Sequence, residues 1–154
     1  MNRITPFLWY EGKIEEAVSF YRSAFPNSKV QATTKGPDGS LMMATVELEG
    51  QQLMLFGGGP HYKLTPAVSL YVNCETQADV DELWEKLLAG GGKETQCGWL
   101  EDRFGLSWQI IPSILPKLLG DKDREKAGRA MNAMLKMKKI DIAALERAAA
   151  GGSR

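Results

Sequence analysis

Side chains that usually bind metals or form disulfides are scarce in this sequence. It contains one histidine, His61, and two cysteines, Cys74 and Cys97, which do not form a close pair along the chain. This composition argues against a disulfide framework and against a Cys/His zinc site. A reduced, cytoplasmic protein is the simplest interpretation.

An excess of charge and long hydrophobic runs are also lacking. The lysines and arginines number 19 and balance 19 aspartates and glutamates, so the formal net charge is +0. Nucleic acid or an anionic membrane would require a concentrated basic surface, so neither is an expected partner. No apolar run approaches the ~20 residues that span a bilayer, and Met1–Pro6 lacks the apolar stretch of a signal peptide.

Apolar residues make up 44% of the 154 residues, which is enough for a hydrophobic core. Their spacing follows a pattern that occurs twice along the chain. Period-two and helical spacings in the first half predict a strand, a helix and three strands. These cover Ile4–Tyr10, Ile14–Phe25, Lys29–Thr34, Leu41–Glu49 and Gln52–Phe56. The second half predicts the same order at Ala67–Val72, Val80–Leu88, Lys93–Gln96, Trp99–Asp102 and Leu106–Ile111.

Each half therefore reads β-α-β-β-β, and neither half can close a core alone. We predict an α+β fold in which two βαβββ modules, about 1–59 and 64–112 within a 1–113 domain, form a curved mixed sheet around a cleft. Residues 114–154 are predicted to form a C-terminal helical extension, with Asp121 or Asp123 and then Asp141 as helix N-caps. Its methionine stripe, Met131, Met134 and Met137, is expected to pack on its own domain or on a partner subunit.

The most informative stretch is Glu101–Pro112. Asp102–Gly105 has the composition of a tight turn. After it, Ser107, Gln109 and Ile111 alternate with two bulky apolar residues, which is the period of a strand. A polar Gln109 among bulky apolar residues favours a strand that lines a cleft. The alternative is a hairpin whose Gln109 simply faces solvent.

Eight stretches resemble the PhnB-like branch, 3-demethylubiquinone-9 3-methyltransferase-like, of the vicinal oxygen chelate superfamily. They are Ile4–Trp9, Phe20–Tyr21, Gly58–His61, Val68–Val72, Asp81–Trp84, Cys97–Trp99, Asp102–Ile110 and Met137–Leu145. This superfamily, which includes glyoxalase I, extradiol dioxygenases and antibiotic-resistance proteins, is built from paired βαβββ modules. Relatives on this scaffold are commonly homodimers, so the resemblance implies a homodimer here.

Enzymes of the superfamily hold a divalent metal with ligands from the first and last strands of both modules. By resemblance, those positions fall near Pro6, among Met54–Phe56, at Ala67 or Ser69, and at Gln109. Only Gln109 offers a usual ligand, and one neutral amide oxygen does not retain a metal. The resemblance therefore implies the cleft without a metal or another cofactor.

The expected function is the binding of a small, apolar or planar molecule in an aromatic cleft. The residues expected to line it are Trp9, Met54, Phe56, Ser69, Tyr71, Trp99, Trp108 and Gln109. For each aromatic residue taken singly, a place in the core is the competing interpretation. A third hypothesis is an interaction role for the methionine-lined extension.

An enzyme on this scaffold is the alternative. The candidate catalytic residues are Cys97 as nucleophile, His61 as its base and Asp102 as the acid that orients the base. The competing interpretation is that Cys97 is simply a buried apolar residue and that His61 is exposed to solvent. The family label implies methyl transfer, and the superfamily implies metal-dependent lyase or dioxygenase chemistry. However, Gly57–Gly59 leads to another strand and Gly90–Gly92 ends a helix, so neither is the glycine loop of an S-adenosylmethionine-binding sheet.

Overall fold

The computed structural model describes residues 2–151, and the chain divides into two compact units, Met1–Thr65 and Pro66–Arg154. Each unit contains one βαβββ module, and the second also contains the C-terminal helices. Among residues 2–151, no helix combines the length and the apolar character needed to cross a bilayer.

The first unit holds a four-stranded sheet and one helix. Its elements are β1 (Phe7–Tyr10), α1 (Ile14–Ala24), β2 (Ser28–Lys35), β3 (Leu41–Leu48) and β4 (Gln51–Gly57). The strand order is β1-β4-β3-β2, with β1 parallel to β4 and the other pairs antiparallel.

The second unit repeats this arrangement. Its elements are β5 (Ser69–Cys74), α2 (Gln77–Leu88), β6 (Lys93–Glu94), β7 (Trp99–Glu101) and β8 (Ser107–Pro112). The strand order β5-β8-β7-β6 is that of the first sheet, and β5 is again parallel to its neighbour β8. The predicted pair of mixed βαβββ modules followed by C-terminal helices is confirmed.

The helices form because their apolar residues recur at helical spacing. In α1, Ile14, Ala17, Val18 and Tyr21 are buried, and α1 packs against β3 and β4. The two helices begin differently. Thr76 accepts a hydrogen bond from the Asp79 amide and caps α2, whereas no side chain caps α1.

Three strands begin later than the sequence pattern predicts. β1 begins at Phe7 rather than Ile4, β5 at Ser69 rather than Ala67, and β8 at Ser107 rather than Leu106. Strand β5 starts where β8 supplies a partner, because Ser69 pairs with Ser107, the first residue of β8. Apolar residues outside this register have no strand to pair with, although their composition favours one.

The extension forms α3 (Ile114–Leu119), α4 (Arg124–Met134) and α5 (Ile142–Ala149). Asp123 caps α4 and Asp141 caps α5, as predicted. The three helices share a buried cluster with the sheet residue Ile111, namely Ile111, Leu115, Leu118, Ala130, Ile140, Leu145 and Ala149. Met134 and Met137 pack against this cluster, as expected for the stripe, while Met131 is 41% exposed.

The segment that joins α4 to α5 is held to the second module by polar contacts on both sides. The Cys97 and Gly98 amides donate to the carbonyls of Met137 and Lys138 at 2.8 and 2.7 Å. On the other side, Gln77 Nε2 donates to the Ile140 carbonyl, and Gln77 Oε1 accepts from the Ile142 amide. The extension is therefore part of the second unit rather than an appendage to it.

Candidate functional site

Each sheet buries one face against the helix of its module, and we call the other face its open face. In the first unit, Leu8, Leu53 and Leu55 are buried on the α1 side. In the second, Leu100, Trp108 and Ile110 are buried on the α2 side. Since side chains alternate along a strand, the intervening residues form the open faces.

The open face of the second unit carries a row of three side chains across adjacent strands. In the strand register, Gln109 of β8 lies between Tyr71 of β5 and Trp99 of β7. Tyr71 is 53% exposed, and Trp99 and Gln109 are half-buried. Partial burial raises the pKa of the Tyr71 phenol, so this side chain is neutral at physiological pH.

A hydrogen bond fixes the Gln109 side chain. Its Nε2 donates to Ser69 Oγ at 2.9 Å, across the parallel β5–β8 pair. The amide is thus oriented along the open face towards β5.

The two ends of this face differ. Beyond Gln109, Ile111 is buried by the C-terminal helices, and a Cβ built on Gly98 would lie 2.6 Å from Ile111 Cδ1 and 3.0 Å from Ile140 Cγ1. At the opposite end, Glu101 of β7 pairs in register with Lys93 of β6. The extension therefore bounds the face at one end, and we call this boundary at Ile111 and Ile140 the wall. At the other end lie two opposite charges.

Around Trp9, the open face of the first unit is aromatic and apolar. Phe56 pairs in register with Trp9, and their rings meet edge to face with centroids 5.0 Å apart. The ring centroids of Phe7 and Phe56 are 5.5 Å apart. Tyr62, from the loop after β4, has its ring centroid 4.9 Å from that of Trp9. Met54, the register partner of Phe7, lies half-buried beside them.

The loop after β4 holds the Trp9 indole in place. Trp9 Nε1 donates to the Gly59 carbonyl at 2.9 Å. Gly58 lies so close to the indole and to Phe56 that a Cβ at this position would overlap both rings. Packing of the loop on the indole therefore requires glycine at position 58, whereas Gly59 is favoured by its positive φ of 85°.

In the second unit, Trp108 and Asp102 lie away from the open face. Trp108 is 2% exposed on the α2 side of β8, and its Nε1 donates to Asp102 Oδ2 at 2.9 Å. Asp102 Oδ1 accepts from the amides of Phe104 and Leu106. The structure gives Asp102 the role of closing the β7–β8 turn, in which Gly105 has φ 93°.

The other candidate catalytic residues lie on loops. His61 is exposed in the turn after β4, and Cys97 is half-buried in the loop before β7 with φ 55°. Cys74 is buried at the end of β5, and burial, followed by the charges of Asp79 and Glu75, raises its pKa to about 11. None of the hydrogen bonds of residues 2–151 joins Cys97 to an imidazole or a carboxylate.

The side chains at the implied ligand positions do not fit a divalent metal. The open faces present thioether and aromatic groups at Met54 and Phe56, a hydroxyl at Ser69 and an amide at Gln109. Sites of this kind are built from imidazole and carboxylate. Within the described range, 2–151, no three His, Cys, Asp or Glu residues come together as a metal site would require.

Sequence reasoning placed Ser69, Tyr71, Trp99 and Gln109 among the lining residues, and the structure brings these four together on one face. Trp9, Met54 and Phe56 lie together on the open face of the first unit. The pattern did not indicate Tyr62 as a neighbour of Trp9, because a single loop tyrosine carries no periodic signal. It also did not indicate the wall at Ile111, which depends on contacts with residues about thirty positions later in the chain.

Comparisons with known proteins agree with this architecture. The family model described as 3-demethylubiquinone-9 3-methyltransferase matches residues 2–111. The PhnB protein from Bacillus cereus is 34% identical over 73% of this chain and 100% of its own, with a TM-score of 0.67. A protein from Pseudomonas aeruginosa is 20% identical over 73% of this chain and 98% of its own, with a TM-score of 0.60.

A more distant structural likeness is to the fosfomycin resistance protein FosX from Listeria monocytogenes, solved with Mn(II) and sulfate. It is 15% identical over 70% of this chain and 88% of its own, with a TM-score of 0.54. No curated protein matches the chain. The family match ends before α3, so helices α3–α5 are additional to the shared modules. On this evidence the chain belongs to the 3-demethylubiquinone-9 3-methyltransferase family, the family of the PhnB protein.

Proposed function

We propose that the protein binds a small, planar or apolar molecule on the open face of its second unit, without a metal. The observation that carries the proposal is the row in which Gln109 lies between Tyr71 and Trp99. Aromatic side chains that are partly exposed and flank a fixed polar group are typical of small-molecule sites. The open face of the first unit offers a second apolar surface, but its amide, Gln52, is buried, and its Oε1 already accepts from Thr5 Oγ1 and the Asn2 amide.

Quinoline is a suitable first probe, because it is planar and dissolves at millimolar concentration. In isotope-labelled protein, quinoline is expected to shift the Trp99 indole and Gln109 side-chain resonances. Trp99→Ala should weaken binding at least fivefold, since stacking on one aromatic side chain contributes about 1 kcal/mol. Phe7→Ala, which removes an exposed aromatic from the other unit, is the matched control and should leave the affinity unchanged. The absence of shifts at Trp99 and Gln109 would contradict the proposal.

An enzymatic reaction on the same ligand is the alternative function, and methyl transfer is the reaction that the family description names. Cys97→Ser separates the two, because it abolishes thiol chemistry and leaves simple binding intact. Elemental analysis of the purified protein tests for a stoichiometric metal. A native mass spectrum of protein taken from cells would show the natural ligand and test the implied homodimer.

A further inference from the structure

Gln109 and Ser69 leave an acceptor, Gln109 Oε1, beside two donors, the second Nε2 proton of Gln109 and the hydroxyl proton of Ser69. Gln109 Nε2 donates to Ser69 Oγ, so the hydroxyl proton of Ser69 points elsewhere. Among residues 2–151, no group donates to Gln109 Oε1 and none accepts the Ser69 proton. Gln109 Oε1 is not among the buried unpaired atoms, so it is open to solvent or to a ligand.

On the basis of the proposed function, we infer that the ligand is a neutral planar lactam or carboxamide. Its N–H donates to Gln109 Oε1, and its carbonyl accepts from the Ser69 hydroxyl. Such a group carries a donor and an acceptor at adjacent positions, which matches the pair on the protein. The attached ring lies against Tyr71 and Trp99, the register neighbours of Gln109.

Charge and hydrogen-bonding capacity disfavour the related ligand classes. A carboxylate would bring only acceptors and would leave Gln109 Oε1 without a donor. An amine in its charged form would bring only donors and would leave the Ser69 hydroxyl proton and the second Gln109 Nε2 proton without an acceptor. On the strands of this open face, the charged residues are Glu101 and Lys93, which pair in register at the far end. The face therefore offers no net charge to attract an ion.

The wall of the extension limits how far a ring system can extend from the anchor. Ile111, the next residue on this side of β8, is buried by Ile140 and Leu145. A ligand anchored at Gln109 extends from there towards Glu101 or past the edge strand β5.

Three matched probes test the inference: quinoline, 2-quinolinone, and 1-methyl-2-quinolinone, which lacks the N–H. Dissociation constants are measured by NMR titration of the full chain. The protein is expected to bind 2-quinolinone about fivefold to tenfold more tightly than the methylated probe, as one hydrogen bond predicts. Gln109→Leu should remove this preference and Ser69→Ala should reduce it. Ser107→Ala, which deletes the neighbouring hydroxyl on β8, should retain it, and thermal unfolding verifies that each variant is folded.

The outcomes separate this inference from the proposed function. Equal affinity for the two quinolinones, with quinoline bound at Trp99, overturns the lactam class and leaves the binding site in place. A preference that persists in Gln109→Leu also overturns it. Failure of all three probes to shift Trp99 or Gln109 contradicts the proposed function itself.

Discussion

The two modules share one topology, yet their open faces differ in chemistry. The helix-facing sides are alike, with buried leucine, valine or isoleucine on both sheets. The open side of the first sheet carries an aromatic cluster that the glycine loop contacts at Trp9, and its buried amide, Gln52, has its oxygen already paired with Thr5. On the open side of the second sheet, the amide–hydroxyl pair leaves the Gln109 oxygen unpaired among residues 2–151, and the added helices form a wall. The sides that pack against the helices thus preserve the fold, while the open sides are where the side-chain chemistry of the two modules differs.

The largest expected effect concerns the wall, which only the second unit has. Ile140 is fully buried in the cluster around Ile111. Ile140→Ala should lower the free energy of unfolding by about 4 kcal/mol, measured by urea denaturation. Met131→Ala, on the exposed side of α4, is the control and should cost under about 1 kcal/mol. Similar losses in the two variants would show that the extension contributes little to the second unit.

A hairpin turn in each module contains an aspartate, and the two aspartates differ in burial. Asp102 is buried and accepts from two amides and the Trp108 indole, whereas Asp38 is exposed and accepts from Ser40. Asp102→Ala leaves those buried donors unpaired and should cost about 3 kcal/mol of unfolding free energy. Asp38→Ala, measured in the same way, should cost much less because water replaces its contacts. A loss of unfolding free energy in Asp102→Ala as small as that in Asp38→Ala would contradict the role assigned to this carboxylate.

Two glycines of the second unit test how tightly the wall meets the sheet. Gly98 and Gly105 both have positive φ, 85° and 93°. A Cβ on Gly98 would press on Ile111 and Ile140, whereas nothing lies within 4 Å of one on Gly105. Gly105→Ala should therefore cost about 1 kcal/mol from backbone strain alone, and Gly98→Ala about 2 kcal/mol. Equal melting temperatures of the two variants would show that the contact between the wall and the sheet accommodates an added methyl group.

The smallest expected effect is a pH dependence that belongs to the first unit. Glu15 Oε1 accepts from the Leu41 amide at 2.6 Å, which lowers the pKa of this carboxyl below 4.5. A lowered pKa in the folded state means that this contribution is complete above pH 4.5 and is lost as the pH falls through the folded-state pKa. Between pH 7 and pH 3.5, the wild type should lose slightly more stability than Glu15→Gln, measured from urea midpoints. Glu11→Gln, in the preceding exposed turn, should behave like the wild type.

Local patterns predicted the elements of this fold because those elements depend on neighbouring residues. The alternation through Ser107, Gln109 and Ile111 gave the strand β8, and the acids Asp123 and Asp141 gave the helix caps. That alternation also separates Trp108 from Gln109, so listing Trp108 as a lining residue rested on its aromatic character alone.

Contacts between distant residues could not be predicted in the same way. Ser69 meets Gln109 only because β5 and β8 pair in one particular register. Ile111 follows the open-face alternation, yet its burial depends on Ile140. No local signal places the extension over the sheet, since its apolar stripe would fit a partner subunit equally well.

The Gln77 side chain joins the end of the α4–α5 segment to the first residue of α5, donating to the Ile140 carbonyl while accepting from the Ile142 amide at 2.8 Å. The first amides of a helix have no partner within it, so the Ile142 amide proton is shielded only while the extension is docked against Gln77. Its rate of deuterium uptake would therefore report opening of the wall separately from unfolding of the sheet.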